Sequence, residues 1–243
     1  AASDVPVPGP ADFTATVGEI DPLVWRVIHR LRAPYDRDFD AYDHNSNWLM
    51  AGESRTLPLP TDAQRLVQYV RLWPDDNDYG RKDEYAAIPF GTGSVVISGD
   101  GVLPWMREAT IDHLGLAWQQ TSGTYDGAVA SLYWWSSNGL DGGAGEYHKW
   151  NIVLPPGVTS FSLQDVSAAL AQLAPSESDI FDSYNSKVAL VDLSTADDYD
   201  AFRATPEWFL TCPDCAVLAG EVPTARVTGL SADGAEGALP MWW

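Results

Sequence analysis

Alternation of apolar and polar side chains with a period of two recurs along the chain. Trp25, Val27 and Leu31 interleave with Arg26, Arg30 and Arg32, and Leu66, Val70 and Leu72 with Arg65, Gln68 and Arg71. Ala130, Leu132 and Trp134 interleave with Ser131, Tyr133 and Trp135, and Trp150, Ile152 and Leu154 with Lys149, Asn151 and Val153. Successive strand side chains point to opposite faces, so this pattern predicts strands with one face buried. Enrichment in β-branched and aromatic residues agrees with that reading. In Trp134-Trp135, one indole is expected to face the core and the other to face outward.

Turn signals separate the strands: Asp75-Asp76-Asn77-Asp78, Gly99-Asp100-Gly101, Asn138-Gly139, Gly142-Gly143 and Pro155-Pro156-Gly157. Ser94–Leu103 reads as a hairpin through Gly99-Asp100-Gly101, and Ala128–Leu154 as a second hairpin with a Gly-rich tip. Two short helices are predicted. One starts at the capping pair Ser162 and Asp165 and carries an apolar stripe of Val166, Ala169, Leu170 and Leu173. The other starts at Thr195, has Asp197 and Asp198 in its first turn, and buries Tyr199 and Phe202. The expected fold is mainly β: an antiparallel sandwich or barrel, jelly-roll-like, with two short helices. Residues 1–12 read as an extended Pro-rich arm and 13–243 as one β domain, with a possible subdivision near 101–104. No internal repeat occurs at fixed spacing.

Charge narrows the partners. Asp and Glu number 34 against 14 Lys and Arg, a net charge of −20. Nucleic-acid binding needs clustered cations to displace counterions, and a surface this acidic lacks them. Anionic lipid is disfavoured for the same reason. No apolar run is long enough for a bilayer helix. The three lysines are Lys82, Lys149 and Lys187, and Asp outnumbers Glu. Short carboxylates with few ammonium stems suit a surface working in high salt; the alternative is a secreted acidic protein. The expected location is extracellular, at a cell surface or in a virion.

Candidate chemistry is sparse. Asp36, Asp38, Asp40 and Asp43 alternate on one loop and could gather oxygen ligands around Ca2+. Ala41 stands where an EF-hand loop needs Gly, and Asn47 where it needs a bidentate Glu, so a looser calcium site or a solvated acidic loop remains. No other cofactor is implied. Cys212 and Cys215 form Cys-Pro-Asp-Cys; zinc would need further soft ligands, and Gly220 and Pro223 cut any helix from Ala216 to about a turn. A local disulfide, or a pair of thiols, is the expectation. His29, His44, His113 and His148 are scattered, and no nucleophile, phosphate-loop or dinucleotide motif occurs.

Eleven tryptophans are the strongest positive feature. Exposed Trp stacks on sugar rings or anchors interfaces. The arm, through Val5, Pro6, Val7 and Pro8, and the tail, through Met241, Trp242 and Trp243, are expected to dock on neighbouring surface. These features rank first a non-enzymatic structural subunit of an extracellular or viral assembly, a capsid, shell or surface filament, partnered by copies of itself or a related subunit. The alternative is a secreted recognition module binding glycan through exposed Trp. An acid-catalysed hydrolase comes third, without a nominated residue.

Overall fold

The computed structural model describes residues 12–19, 24–34, 41–43, 48–58, 66–74, 80–88, 92–98, 103–137, 145–171, 173–182, 185–206, 210 and 213–231. In chain order the first strands are β1 (Asp12–Val17), β2 (Val24–Pro34), β3 (Ala41–Asp43), β4 (Trp48–Leu49) and β5 (Ser54–Pro58). Then follow β6 (Leu66–Pro74), β7 (Arg81–Ile88), β8 (Ser94–Ile97), β9 (Met106–Asp112), β10 (Gly115–Gln120), β11 (Gly127–Ser136) and β12 (Glu146–Leu154). β13 (Ser160–Ser162) leads into a 3-10 turn at Leu163–Asp165 and α1 (Ala168–Ala171). β14 (Ile180–Phe181), β15 (Lys187–Leu193), α2 (Tyr199–Ala204), α3 (Pro213–Ala219) and β16 (Thr224–Ser231) complete the described elements.

The strands form one ten-stranded sheet and two three-stranded sheets. The large sheet runs β12-β11-β15-β16-β7-β6-β2-β3, with β14 added to β11 and β4 to β2. Its two ends do not meet, so the mainly β architecture is sandwich-like and not a closed barrel.

Register assigns each side chain of the large sheet to a face. Leu72, Lys82, Thr228, Leu190, Ala128 and Leu154 share one row and one face. The two small sheets cover that face side by side. β5-β1-β8 packs Phe13, Ala15, Val17 and Ile97 on Val27, Val70 and Leu72. β13-β10-β9 packs Ile111, Leu116 and Trp118 on Ala130, Leu132, Trp134 and Leu190. The opposite face carries Val67, Tyr69, Val129, Val191 and Val227, covered by Phe202 of α2 and by Ala216 and Val217 of α3. The sheet is thus buried on both faces over its middle, which a period of two does not predict. Ser131, an outward polar position, is buried, and so is Gln68, a polar residue in phase with Leu66, Val70 and Leu72.

Several other expectations are corrected. Among the described residues β8 pairs in parallel with β1, Ala15 opposite Val95, and the turn Gly99-Asp100-Gly101 of the expected hairpin lies outside them. Ile97 of β8 is buried in the core with β1 and Val95 packs against it, while Val96 is exposed. The first predicted helix is a 3-10 turn capped by Ser162 and then the four residues of α1, with only Leu163 buried. Leu170 and Leu173 are exposed, because so short a segment cannot turn an apolar stripe onto the core. The second helix starts three residues later than expected, with Asp198 as N-cap accepting from the N–H of Ala201 at 2.8 Å. Its burial of Phe202 is as expected. A third helix, α3, extends over seven residues because Pro213 suits a first helical turn. It ends at Gly220, whose φ of +80° is open to glycine, where the N–H of Glu221 returns to the Ala216 carbonyl. The hairpin Ala128–Leu154 is found as drawn, Ala128 opposite Leu154 and Trp135 opposite Tyr147.

Candidate functional site

The helices that cover the outer face of the large sheet stop short of one corner. Over Gly127–Leu132 of β11 every residue is buried; from Tyr133 onward the odd residues open to solvent. At that point β11 changes partner, from β15 to β14. The Ser186 hydroxyl bridges the change, accepting from the N–H of Tyr133 at 2.9 Å and donating to its carbonyl at 3.2 Å. Tyr133 and Trp135 are thereby held on regular strand backbone where the ladder would otherwise lapse.

Beyond the helices, a row of apolar side chains faces water. Ile180 of β14, Trp135 of β11 and Tyr147 of β12 lie directly opposite one another, on one face. Tyr147 is 77% exposed and Ile180 63%, with Trp135 half-buried between them. The next row on this face holds Tyr133 and Lys149, whose ammonium sits 5.3 Å from the Tyr133 ring centre. Gly145 sits under the Trp135 indole: a Cβ there would collide with the ring. Glycine at 145 therefore sets how the indole lies.

The inner face at the same corner is packed solid. Trp134 is stacked between His148, at 5.4 Å, and Phe181, at 6.2 Å, while Trp150 meets it edge-on at 5.7 Å. The adjacent tryptophans thus divide as the alternation predicts, Trp134 inward and Trp135 outward, and the inward stack gives the outer row a stiff support.

Beside the row, Asp179 accepts from the N–H and hydroxyl of Ser176 and from the hydroxyl of Ser136. Burial alone would raise its pKa, but these donors and nearby His148 hold it below the usual carboxylate range. Ser136, His148 and Asp179 are residue types of a hydrolytic triad. Here the carboxylate bonds the hydroxyl directly, so no imidazole stands between them to take the proton. This arrangement anchors the turn before β14.

Along β12, a groove of about 660 Å³ continues the row on the outer face through Lys149, Asn151 and Val153, with Arg203 at its side, and wraps the strand edge to Trp150 and Ile152 of the inner face. β12 ends the large sheet and has no strand on its outer side among the described residues.

The chain matches no family model, no curated protein and no solved structure. The site is accordingly read from its own geometry.

Of the residues nominated from sequence, Val5, Pro6, Val7, Pro8, Met241, Trp242 and Trp243 lie outside the described residues, as do Asp36, Asp38 and Asp40. Asp43 is described only as the end of β3. Among the described residues no group of three or more His, Cys, Asp or Glu gathers as a metal site would. Cys215 in α3 is disulfide-bonded, and the only other cysteine in the chain, Cys212, lies outside the described residues. Tyr147 and Ile180 were missed by sequence reasoning. The available signal was the register of a hairpin whose outward positions carry aromatics in both arms.

Proposed function

We propose that this protein is a non-enzymatic β-sandwich recognition module that binds glycan chains through the outer aromatic row of the β11–β12 hairpin. The observation that carries the reading is that Tyr147, Trp135 and Ile180 lie in one register row on a corner of the sheet that the helices leave bare. The C–H face of a pyranose is apolar and weakly positive and stacks on the negative face of an aromatic ring. Lys149, held over Tyr133, offers a charged donor to ring hydroxyls beside that platform. The row and groove together follow β12 from Tyr147 to Val153, roughly 20 Å of strand, a length suited to a chain-like ligand. The acidic surface fits an extracellular setting: Lys82 and Lys187 are buried, leaving Lys149 as the exposed lysine.

The test is retention on insoluble polysaccharides, with Tyr147→Ala and Gly145→Ala as probes. Tyr147 is mostly solvent-exposed, so its removal should leave the melting temperature within error. Each variant is expected to weaken retention by about tenfold or more, a loss in the range of one good stacking contact. Retention of Tyr147→Ala equal to the parent chain would remove the row as the site.

The edge of β12, unpaired among the described residues, favours a second reading, a subunit of an extracellular assembly. An extended segment of another copy could add to that edge and fill the groove beside it. Solution mass measured across salt, for the full chain and for a chain lacking residues 1–11, separates the two. β1 begins at Asp12, so this deletion spares the pairing of Asp12 with Pro58. Particles that form with the arm and not without it favour assembly; a monomer under all conditions favours recognition.

A further inference from the structure

The β11–β12 ladder runs from Ala128 opposite Leu154 to Ser136 opposite Glu146 without a register shift, whereas β2–β6 and β9–β10 each carry one. A bulge bends its strand, so the aromatic platform stands on the straighter kind of ladder. Tyr133 and Trp135 share the outer face of β11, about 7 Å apart along the strand, and Tyr147 stands directly opposite Trp135. Beneath them Trp134 is stacked between His148 and Phe181, which keeps the platform in that shape. Resting on the glycan reading, we propose that the ligand is an uncharged ribbon polysaccharide, a chain of neutral pyranoses joined through equatorial bonds at opposite corners of the ring.

Shape carries the first half of the argument. A ribbon chain is extended, presents its apolar C–H faces in one plane and lines both edges with hydroxyls. A helical polysaccharide such as amylose turns those faces around a curve and meets a straight platform over a short arc only. Polar groups stand on both sides of the rings. On the groove side are Lys149, Asn151 and Arg203. On the other side is Asp182, two residues past Ile180, whose N–H donates to the Tyr133 carbonyl at 2.9 Å and so continues the β14 ladder by one pair. Its carboxylate accepts from the N–H of Asn185 at 3.0 Å and keeps lone pairs for a further donor, which a ring hydroxyl supplies.

Charge carries the second half. The chain has a net charge of −20, and a polyuronate brings a carboxylate on every ring. Repulsion between them acts over a screening length of ~30 Å at ~0.01 M salt and ~10 Å at ~0.1 M. The cations beside the platform do not reverse this field. Asp182 stands across Tyr133 from Lys149, and Asp200 pairs with Arg203 at 3.2 Å. A neutral chain avoids the repulsion, and its stacking on aromatic rings is not screened by salt.

The experiment is co-sedimentation of the full chain with five polymers. Microcrystalline cellulose, chitin and mannan are neutral ribbons, granular starch is neutral and helical, and agarose-coupled polymannuronate is an acidic ribbon. A chelator is present throughout, so that no divalent cation bridges carboxylates of protein and polymer. At least one neutral ribbon is expected to retain the chain about tenfold better than starch or polymannuronate, with retention changing less than about twofold between ~0.01 and ~0.5 M salt. Tyr147→Ala and Ile180→Ser, both at exposed positions, should each weaken that retention while keeping the melting temperature of the parent. Retention on starch or polymannuronate that equals or exceeds every neutral ribbon, and that is lost in Tyr147→Ala, overturns this inference and leaves the glycan reading standing. Retention by none of the polymers, or by Tyr147→Ala as well as by the parent, ends the glycan reading and this inference with it.

Discussion

At the scale of single residues, Asp83 is a tightly held group. Its side chain is fully buried, and it accepts from Arg71 Nε at 2.7 Å, Arg71 Nη2 at 2.9 Å and the Tyr69 hydroxyl at 3.2 Å. Burial pushes the Arg71 guanidinium down, yet the bonded Asp83 carboxylate outweighs it and holds the group above its ordinary value. A bidentate pair of this kind is strong only while both partners are present. Asp83→Ala leaves a largely buried cation uncompensated and is expected to cost about 2–4 kcal/mol in urea unfolding, somewhat below the range for a fully buried pair because Arg71 keeps some solvent contact. Asp83→Ala with Arg71→Leu should recover part of that loss. A double variant no more stable than the single one would mean that the pair is not what the loss reports. In the sequence, Arg71 reads as an outward polar residue, because alternation reveals which face a residue occupies and not whether something covers that face.

At the scale of elements, α2 is fastened to β11 through one close approach. Phe202 is fully buried, and its ring lies where a Cβ on Gly127 would stand. Phe202→Ala is expected to cost about 3–5 kcal/mol through lost burial and the cavity left behind. Gly127→Ala should cost about 1–3 kcal/mol through overpacking. The double variant should be less damaged than the sum, since the new methyl group occupies part of the space that the ring vacates. Strict additivity in denaturant titrations would show that the two positions do not share this contact. The helix itself was legible in its Asp-rich start and in Phe202. Its landing place on Gly127 was not, since the contact joins residues 75 apart in the chain, with no local pattern linking them.

At the scale of the whole molecule, acidity governs how stability responds to pH and salt. Asp126 accepts from the N–H of Leu193 at 2.7 Å, but burial, followed by Asp192 and Asp197, leaves its pKa raised. A carboxyl whose folded pKa exceeds its unfolded value destabilises the fold wherever it is ionised in both states. That penalty is full above the raised folded pKa and vanishes below the unfolded value. The stability of the parent chain relative to Asp126→Asn should therefore rise as pH falls from neutral through the raised value toward the ordinary Asp range. Asp179, with its lowered pKa, acts in the opposite sense: its contribution is present above the ordinary range and is lost as pH falls through the lowered value. The check is melting temperature against pH for parent and Asp126→Asn; a constant difference would contradict the assignment. Salt should act alongside. With a net charge of −20, raising salt from ~0.01 to ~1 M shortens the screening length from about 30 to about 3 Å and is expected to raise the melting temperature.

The sequence by itself determined the β character, the β11–β12 hairpin, the inward and outward division of Trp134 and Trp135, and the acidic surface. These are local or additive properties, carried by period-two patterning, turn chemistry and charge counts. The tertiary structure alone decided which faces are covered. It buried Ser131 and half-buried Arg71, paired β8 in parallel with β1, left α1 on the surface, and set Ile180, Trp135 and Tyr147 in one row from three separate strands. Each of these depends on pairings and layers between residues far apart in the chain. Local patterning can assign a side chain to a face; only the packing of layers determines whether that face meets water, another sheet or a ligand.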